Sequence, residues 1–229
     1  VISKHSFALE GGGALVLQRP VEHRKPVSIQ FSEGISRLVD LAIVVVSLPL
    51  FLPLCLLAAV AIKLDDPSGR VLFQQTRYGK GGRPFKITKF RTMIANAEAL
   101  KSRYAALSAE DGASFKAEND PRITRVGRWL RKTYLDELPQ FFNVLRNEMA
   151  IVGPRANSES PENYQPWQRI RLCVKPGITG SWQISRNKPY LFEDRCLMDL
   201  DYIRNKGLWT DLHILLGTVV KLFLRPDGK

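Results

Sequence analysis

Residues 131–155, RKTYLDELPQFFNVLRNEMAIVGPR, set two adjacent carboxylates, Asp136 and Glu137, in an otherwise apolar stretch bounded by basic residues. Acidic residues are favoured at helix starts by the dipole and by capping, so a solvated helix start is the default reading. The chemical reading is different. Beside a bound Mg²⁺ in a cationic pocket, one carboxylate attacks phosphorus to form an acyl phosphate while its neighbour holds the metal. Cations are at hand: Lys86, Lys89 and Arg91 in KITKFRT, and Arg155 in VGPR, fall near strand or loop ends, where functional residues concentrate. KPGITG (175–180) adds Lys175, Thr179 and two glycines, suited to a loop whose amides approach an anion. From residues alone this is one phosphoryl-transfer reading among several.

The bulk composition agrees with an anionic partner. The 229 residues carry 34 Lys+Arg against 22 Asp+Glu, a formal charge of +12. Nucleic acid, acidic lipid headgroups and phosphorylated small molecules are the partner classes this leaves open. Cys55, Cys173 and Cys196 match no zinc or redox spacing, and His5, His23 and His213 form no ligand cluster. No disulfide framework is expected, and the environment is reducing.

What must position the pair is dominated by one segment. From Leu41 to Ile62 there is no charge, and Ser47 is the one distinctly polar side chain. That is long enough to cross a hydrocarbon core as a helix. Pro49 and Pro53, four apart, predict a bend midway. Lys and Arg flank it on both sides (Arg19, Arg24, Lys25 and Arg37 before; Lys63, Arg70, Arg77 and Lys80 after). Cytoplasmic flanks carry the Lys/Arg excess, so a helix that enters and leaves by one face satisfies both flanks.

Residues 1–33 read as a linker or the tail of an upstream region, in a chain whose first residue is not Met. Beyond the apolar segment, VLFQQTRY and FKITKFRT flank GKGGRP, a hairpin pattern. Residues 93–107 have helix-forming composition, and 108–120 read as a polar loop. PRITRVGRWLRKTYL places Ile123, Val126, Trp129 and Leu130 at helical spacing. In LDELPQ, Asp136 as N-cap puts Glu137 and Pro139 in a helix's first turn, with Phe141, Phe142, Val144 and Leu145 on its body. VKPGITGSWQIS reads as a turn-rich segment entering a short extended run. Leu208, Leu212, Leu215, Val219, Val220 and Phe223 mark an amphipathic helix, its stripe suited to core or to membrane contact.

FQQTRYGKGGRPFKITKFRTM, DPRITRVGRWLRKTYLDELPQFFNVLRNEMAIVGPR and KPGITGSWQIS, in that order, resemble the bacterial sugar transferases, the monotopic polyprenyl-phosphate phosphoglycosyl transferases. The resemblance runs from about residue 34 to the end. It implies Asp136 as nucleophile and Glu137 as its partner in holding Mg²⁺. It implies phosphate binding by Lys89, Arg91 and Arg155, with Lys175 and Thr179 counted beside them. Gln140, Asn143, Asp199 and Asp211 match further motif positions of less definite role. It implies a re-entrant membrane helix broken at proline, Pro53 fitting the spacing better than Pro49. The chain departs from the pattern at Leu52, Tyr134, Ala156 and Arg186.

The implied reaction moves a sugar phosphate from a nucleotide diphosphate sugar, commonly a UDP-hexose, onto undecaprenyl or another polyprenyl phosphate, releasing UMP and starting a capsule, exopolysaccharide or O-antigen type of glycan. The implied setting is the cytoplasmic face of a bacterial inner membrane, with membrane lipids as partners, no nucleic acid, and room for a homo-oligomer. The expected fold is mainly helical α+β: a tail (1–33), a re-entrant helix (34–64) and a cytosolic catalytic domain (65–229) with a small hairpin and amphipathic interfacial helices. The rival reading is a membrane-tethered basic binding or scaffold module without catalysis, in which Asp136 and Glu137 are caps and Asp136→Asn leaves function intact. A multi-span transferase is not expected of a chain with one hydrophobic segment.

Overall fold

The computed structural model describes residues 30–97, 99–100, 120–186, 189 and 191–224. The side chains of residues 30–32 and 223–224 lie outside that description, as do most of the expected tail and the expected polar loop up to residue 119. The described chain mixes helix and sheet and is mostly helical. Helix α1 runs from Gln30 to Asp65, with Pro49 and Pro53 inside it. The prolines lack the amides that would reach the Val45 and Pro49 carbonyls. Ser47 Oγ turns back onto the Ile43 and Val44 carbonyls at 2.6 and 2.9 Å. By length and composition α1 is apolar enough to cross a membrane.

One stripe of α1 lies along the rest of the protein. Arg37 donates to the Val144 and Leu145 carbonyls at 2.6 and 3.1 Å. Asp40 accepts from the Ile151 amide at 3.0 Å. Val44 is fully buried, and the Phe51 and Phe141 rings lie 4.4 Å apart. Ala58 and Ile62 are buried further along, and Asp65 accepts from the Val126 amide at 2.9 Å. These positions recur at three-, four- and seven-residue intervals, the spacing of one helix face. The other face exposes Val45, Val46, Leu50, Leu52, Leu56, Leu57, Val60 and Leu64.

Strands β1 (Leu72–Tyr78) and β2 (Pro84–Phe90) pair antiparallel, from Leu72 opposite Phe90 to Tyr78 opposite Pro84. Their connection puts Gly81 and Gly82 at φ of 68° and 72°, which glycine alone adopts without strain. The expected hairpin is therefore present. Of the expected helix over 93–107, Met93 pairs in an isolated bridge with Ile123 and residues 95–97, 99 and 100 form turns. Residues 101–107 lie outside the described chain.

Helix α2 (Arg125–Lys132) starts at Thr124, whose Oγ1 accepts from the Gly127 amide at 3.0 Å. The next turn departs from expectation. Tyr134, not Asp136, is the residue before the helical segment, in the left-handed conformation at φ 58° and with no side-chain cap. Asp136 and Glu137 sit inside a 3₁₀ segment, Leu135–Gln140, that continues into the short helix α3 (Phe141–Leu145). The left-handed residue ends α2 two positions before the acidic pair, so the helical turn begins earlier than capping logic places it.

Strand β3 (Ala150–Val152) runs parallel to β4 (Gly177–Thr179), and α4 (Ser181–Ile184), α5 (Phe192–Arg204) and α6 (Leu208–Leu224) follow. In VKPGITGSWQIS the extended run thus precedes a helical turn. The α6 stripe is also redistributed. Ile214 is buried and Leu215 packs on the core, while Leu208, Leu212, Val219 and Val220 are exposed.

Two cores divide the fold. One joins Val44, Ile87, Val144, Met149, Ile151, Val152 and Ile214. The other joins Ala58, Ile62, Phe90 and Leu130. The 3₁₀ segment and α3 together bridge them, with Leu135 and Leu138 of the first packed on the second core and Phe141 of α3 on the first core. Asn143 fixes the hairpin to this bridge: its amide donates to the Lys86 carbonyl and Glu148, and its oxygen accepts from the Thr88 amide.

Gly127 is where α2 touches the chain after β2. A Cβ there would stand 2.1 Å from the Thr92 carbonyl oxygen. Although alanine is the better helix former by about 1 kcal/mol, Gly127→Ala is expected to destabilise by about 2–4 kcal/mol. Gly34→Ala in α1, with open space around its Cβ, is expected to change stability by less than ~1 kcal/mol. Urea unfolding of the detergent-purified variants checks both.

Candidate active site

Two segments far from it in sequence converge on Glu137. Lys89, one residue from the end of β2, donates to its Oε1 at 2.8 Å. Arg155, in the loop after β3, forks onto both oxygens, Nη1 reaching Oε2 at 3.1 Å and Nη2 reaching Oε1. Burial alone would raise the Glu137 pKa, but Arg155 and Lys89 together hold its carboxyl well below the usual carboxylate range. Glu137 is therefore a fixed anion, and it keeps Arg155 firmly charged in return.

Asp136 is treated in the opposite way. Among the described residues its carboxylate has no hydrogen-bond or ion-pair partner. Burial first, and the Glu137 charge second, push its pKa up to about 6, with Lys89, Arg131 and Arg155 pulling the other way. Arg131, in the last turn of α2, donates its Nε to Thr92 Oγ1 at 2.9 Å and faces Asp136 electrostatically. Neighbouring carboxylates whose surroundings separate their pKa values in this way suit different roles. The Asp136 oxygens are left open, and Glu137 organises the cations around them.

The donor set also suits a hard divalent cation. Among the described residues no third Asp, Glu, His or Cys joins the pair. Mg²⁺ at a phosphate site commonly takes one or two carboxylates and completes its shell with phosphate oxygens and water. Asp136 has both oxygens open, and Glu137 Oε2 accepts only the Arg155 bond, so the two residues fit that demand.

The other expected site residues are dispersed. Arg91 turns away to Asp66 at the end of α1, donating to its carboxylate and, at 2.5 Å, to its carbonyl oxygen. Lys175 donates to Asn147 Oδ1 at 2.5 Å, near Arg37 and Glu33. Thr179 shares a 2.7 Å hydroxyl contact with Thr218 of α6. Asn143 is the hairpin clamp, and Gln140 is buried at the end of the 3₁₀ segment with its Nε2 unpartnered. Asp199 is buried 2.8 Å from Arg171, whose guanidinium also donates to the Arg155 carbonyl. Asp199 thus stands one residue behind the fork. Asp211 accepts from Tyr202 Oη at 2.8 Å, near Asp40. Sequence reading passed over Arg131 and Arg77. Helical position alone signalled the first, since Arg131 closes the helix that leads into the pair.

These sequences match the bacterial sugar transferase family over residues 31–225. The galactosyl transferase CpsE of Streptococcus agalactiae is 41% identical over 169 residues, covering 73% of this chain and 38% of that protein. The UDP-N-acetylgalactosamine-undecaprenyl-phosphate N-acetylgalactosaminephosphotransferase of Aeromonas hydrophila is 40% identical, covering 81% of this chain and 43% of that protein. The UDP-glucose:undecaprenyl-phosphate glucose-1-phosphate transferase of Caulobacter vibrioides is 41% identical, covering 84% of this chain and 71% of that protein. The chain spans about two fifths of the length of the first two of these relatives.

The two carboxylates predict opposite stability effects. Glu137→Gln leaves Lys89 and Arg155 facing a neutral amide and is expected to destabilise by about 2–4 kcal/mol. The Asp136 pKa is raised on folding, so its ionisation opposes folding above about pH 6 and does nothing below the unfolded value near 4. Asp136→Asn is accordingly expected to stabilise by about 1–2 kcal/mol at pH 8, with the gain vanishing by pH 4. Thermal unfolding across that range checks the sign.

Proposed function

The chain belongs to the bacterial sugar transferase family, and from that premise we propose that it transfers a sugar phosphate from a UDP-sugar, a UDP-hexose foremost, to undecaprenyl phosphate. The observation that carries this reading is the open, partly buried Asp136 carboxylate beside a Glu137 already neutralised by Lys89 and Arg155. A cap or a solvated face has no use for a buried carboxylate without a partner. The names of the Aeromonas and Caulobacter relatives supply the substrate classes for this reading.

In the first step an ionised Asp136 oxygen attacks the phosphorus that carries the sugar. The bond from that phosphorus to the bridging oxygen breaks, and the bridging oxygen leaves with UMP. An acyl phosphate bearing the sugar remains on Asp136. No proton need move in this step, since the carboxylate enters as an anion and UMP leaves as one. In the second step an oxygen of undecaprenyl phosphate attacks the same phosphorus, and the carboxylate departs. The product is undecaprenyl diphosphate sugar. Lys89 and Arg155 together carry one more positive charge than Glu137 offsets, so they still attract the donor diphosphate, and Arg131 steadies the anionic Asp136. Mg²⁺ held by Asp136 and Glu137 would neutralise further diphosphate charge.

The acceptor's lipid requires a membrane address. Arg37 and Asp40 before the prolines, and Ala58, Ile62 and Asp65 after them, all pack on the same catalytic domain. That placement supports an α1 that enters and leaves by one face, with its exposed apolar side in lipid. UDP-sugars are cytosolic, so this face is read as the cytoplasmic face of an inner membrane. The product is read as the first lipid-linked unit of a capsule, exopolysaccharide or O-antigen type of glycan.

Detergent-purified protein, Mg²⁺, undecaprenyl phosphate and a panel of UDP-sugars test the proposal by UMP release. One donor is expected to give lipid-dependent UMP. Asp136→Asn is expected to lower kcat at least about 10³-fold, as loss of a nucleophile does. A mutant as fast as wild type would return the pair to a capping role and the chain to a membrane-tethered module.

A further inference from the structure

The cations at the acidic pair outnumber its carboxylates. Lys89, Arg155 and Arg131 all act on Asp136, and Lys89 and Arg155 also grip Glu137. A fourth cation, Arg77, belongs to the same field. It lies on β1 within electrostatic reach of both Arg155 and Glu137. Its cross-strand partner is Phe85, while Lys89 lies opposite Phe73. Cross-strand partners and alternate residues share a sheet face, so Arg77 and Lys89 stand on one face of the hairpin, separated by roughly 13 Å along the strand.

Among the described residues Arg77 has no carboxylate paired with it. Its Nη2 donates to the neutral Gln75 Oε1 at 2.7 Å, and its Nε is buried without a partner. Burial, reinforced by the like charge of Arg155, lowers its pKa to about 10. The other two arginines are offset, Arg155 by its ion pair with Glu137 and Arg131 by the nearby charges of Asp136 and Asp120. An arginine kept without a counter-ion against another arginine works against folding unless a ligand supplies the missing charge. Four cations against two carboxylates leave two unmatched positive charges, and the diphosphate of a nucleotide sugar carries two negative ones.

We propose that Arg77 is a donor-binding residue, its guanidinium pairing with the diphosphate of the nucleotide sugar beside Arg155. The inference rests on the phosphosugar-transfer reading above and extends it: the donor's anion bridges the turn end of the hairpin to the Lys89 end, where Asp136 stands. Undecaprenyl phosphate is also an anion, so the assignment to the donor is the part that needs separating.

UDP, which carries the diphosphate common to these donors, is the probe. Calorimetric titration of UDP into detergent-purified wild type, Arg77→Ala and Arg77→Lys is paired with the KM for undecaprenyl phosphate in the UMP-release assay. Thermal unfolding reports whether each variant is folded. Arg77→Ala is expected to weaken UDP binding about 10- to 100-fold, the value of a charge-assisted hydrogen bond. Arg77→Lys, a point charge without the fork, is expected to fall between. The KM for undecaprenyl phosphate stays within about twofold. UDP affinity unchanged in both folded variants overturns the role of Arg77, as does an equal loss toward undecaprenyl phosphate. If Arg77→Ala does not fold, Arg77→Lys decides alone, and wild-type UDP affinity in it overturns the proposal. Wild type that binds no UDP is a separate result, and it overturns the UDP-sugar reading instead.

Discussion

The ion pairs of Glu137 tie the site to the fold. Lys89 comes from the hairpin, Glu137 from the 3₁₀ bridge and Arg155 from the loop after β3, so one carboxylate connects three segments that the sequence spreads over some 67 residues. All three groups are partly shielded from water, which strengthens their attraction and also makes loss of any member costly. Behind the fork, Arg171 holds the Arg155 carbonyl, and the buried Asp199 stands against Arg171. Around Glu137 the charges are thus supported from behind rather than left to solvent. Asp136, the adjacent residue, is left open by contrast.

Local rules reached the elements and fell short of the long-range pairings. The hairpin was legible because GKGGRP contains the two glycines that its turn places at positive φ. Helix α2 was legible from its apolar spacing, and the structure adds Thr124 as its cap. The acidic pair stood out in the sequence, but its local structure did not, because Tyr134 adopts a left-handed conformation that few non-glycine residues take. KFRT shows the limit most clearly. Lys89 and Arg91 look equivalent in sequence, yet β2 ends at Phe90. Strand alternation therefore stops applying between them, and Arg91 is free to turn toward Asp66. The parallel pair of β3 and β4 left no local trace, since each strand is three residues long and their partnership spans 24 intervening residues.

Helix α1 imposes the second constraint. A soluble helix of this composition would bury its whole circumference, whereas here one stripe is packed and the opposite side exposes eight large apolar residues. The packed stripe carries the polar anchors, Arg37, Asp40 and Asp65, each aimed at backbone groups of the domain. Directional bonds at both ends fix the helix against the two cores, and the 3₁₀ bridge lies between those cores. The position of Asp136 relative to the apolar surface is consequently set by the same contacts that hold α1. Helix α6 adds to that surface, with Trp209 84% exposed near its start and Leu212, Leu216 and Val219 exposed along it.

The electrostatics also explain why the two acids are neighbours. Placed alone among Lys89, Arg155 and Arg131, Asp136 would be a strongly stabilised anion, ill suited to the nucleophilic role proposed for it. Glu137 absorbs most of the pull from Lys89 and Arg155 and adds its own repulsion, which together with burial brings the Asp136 pKa up to about 6. The aspartate then ionises just below neutral pH while keeping as much basicity as that allows. Separation of the pair along the chain would demand a second scaffold to bring the charges together. Adjacency in a 3₁₀ turn does it with one peptide bond, and the left-handed Tyr134 that begins the turn fixes where the pair faces.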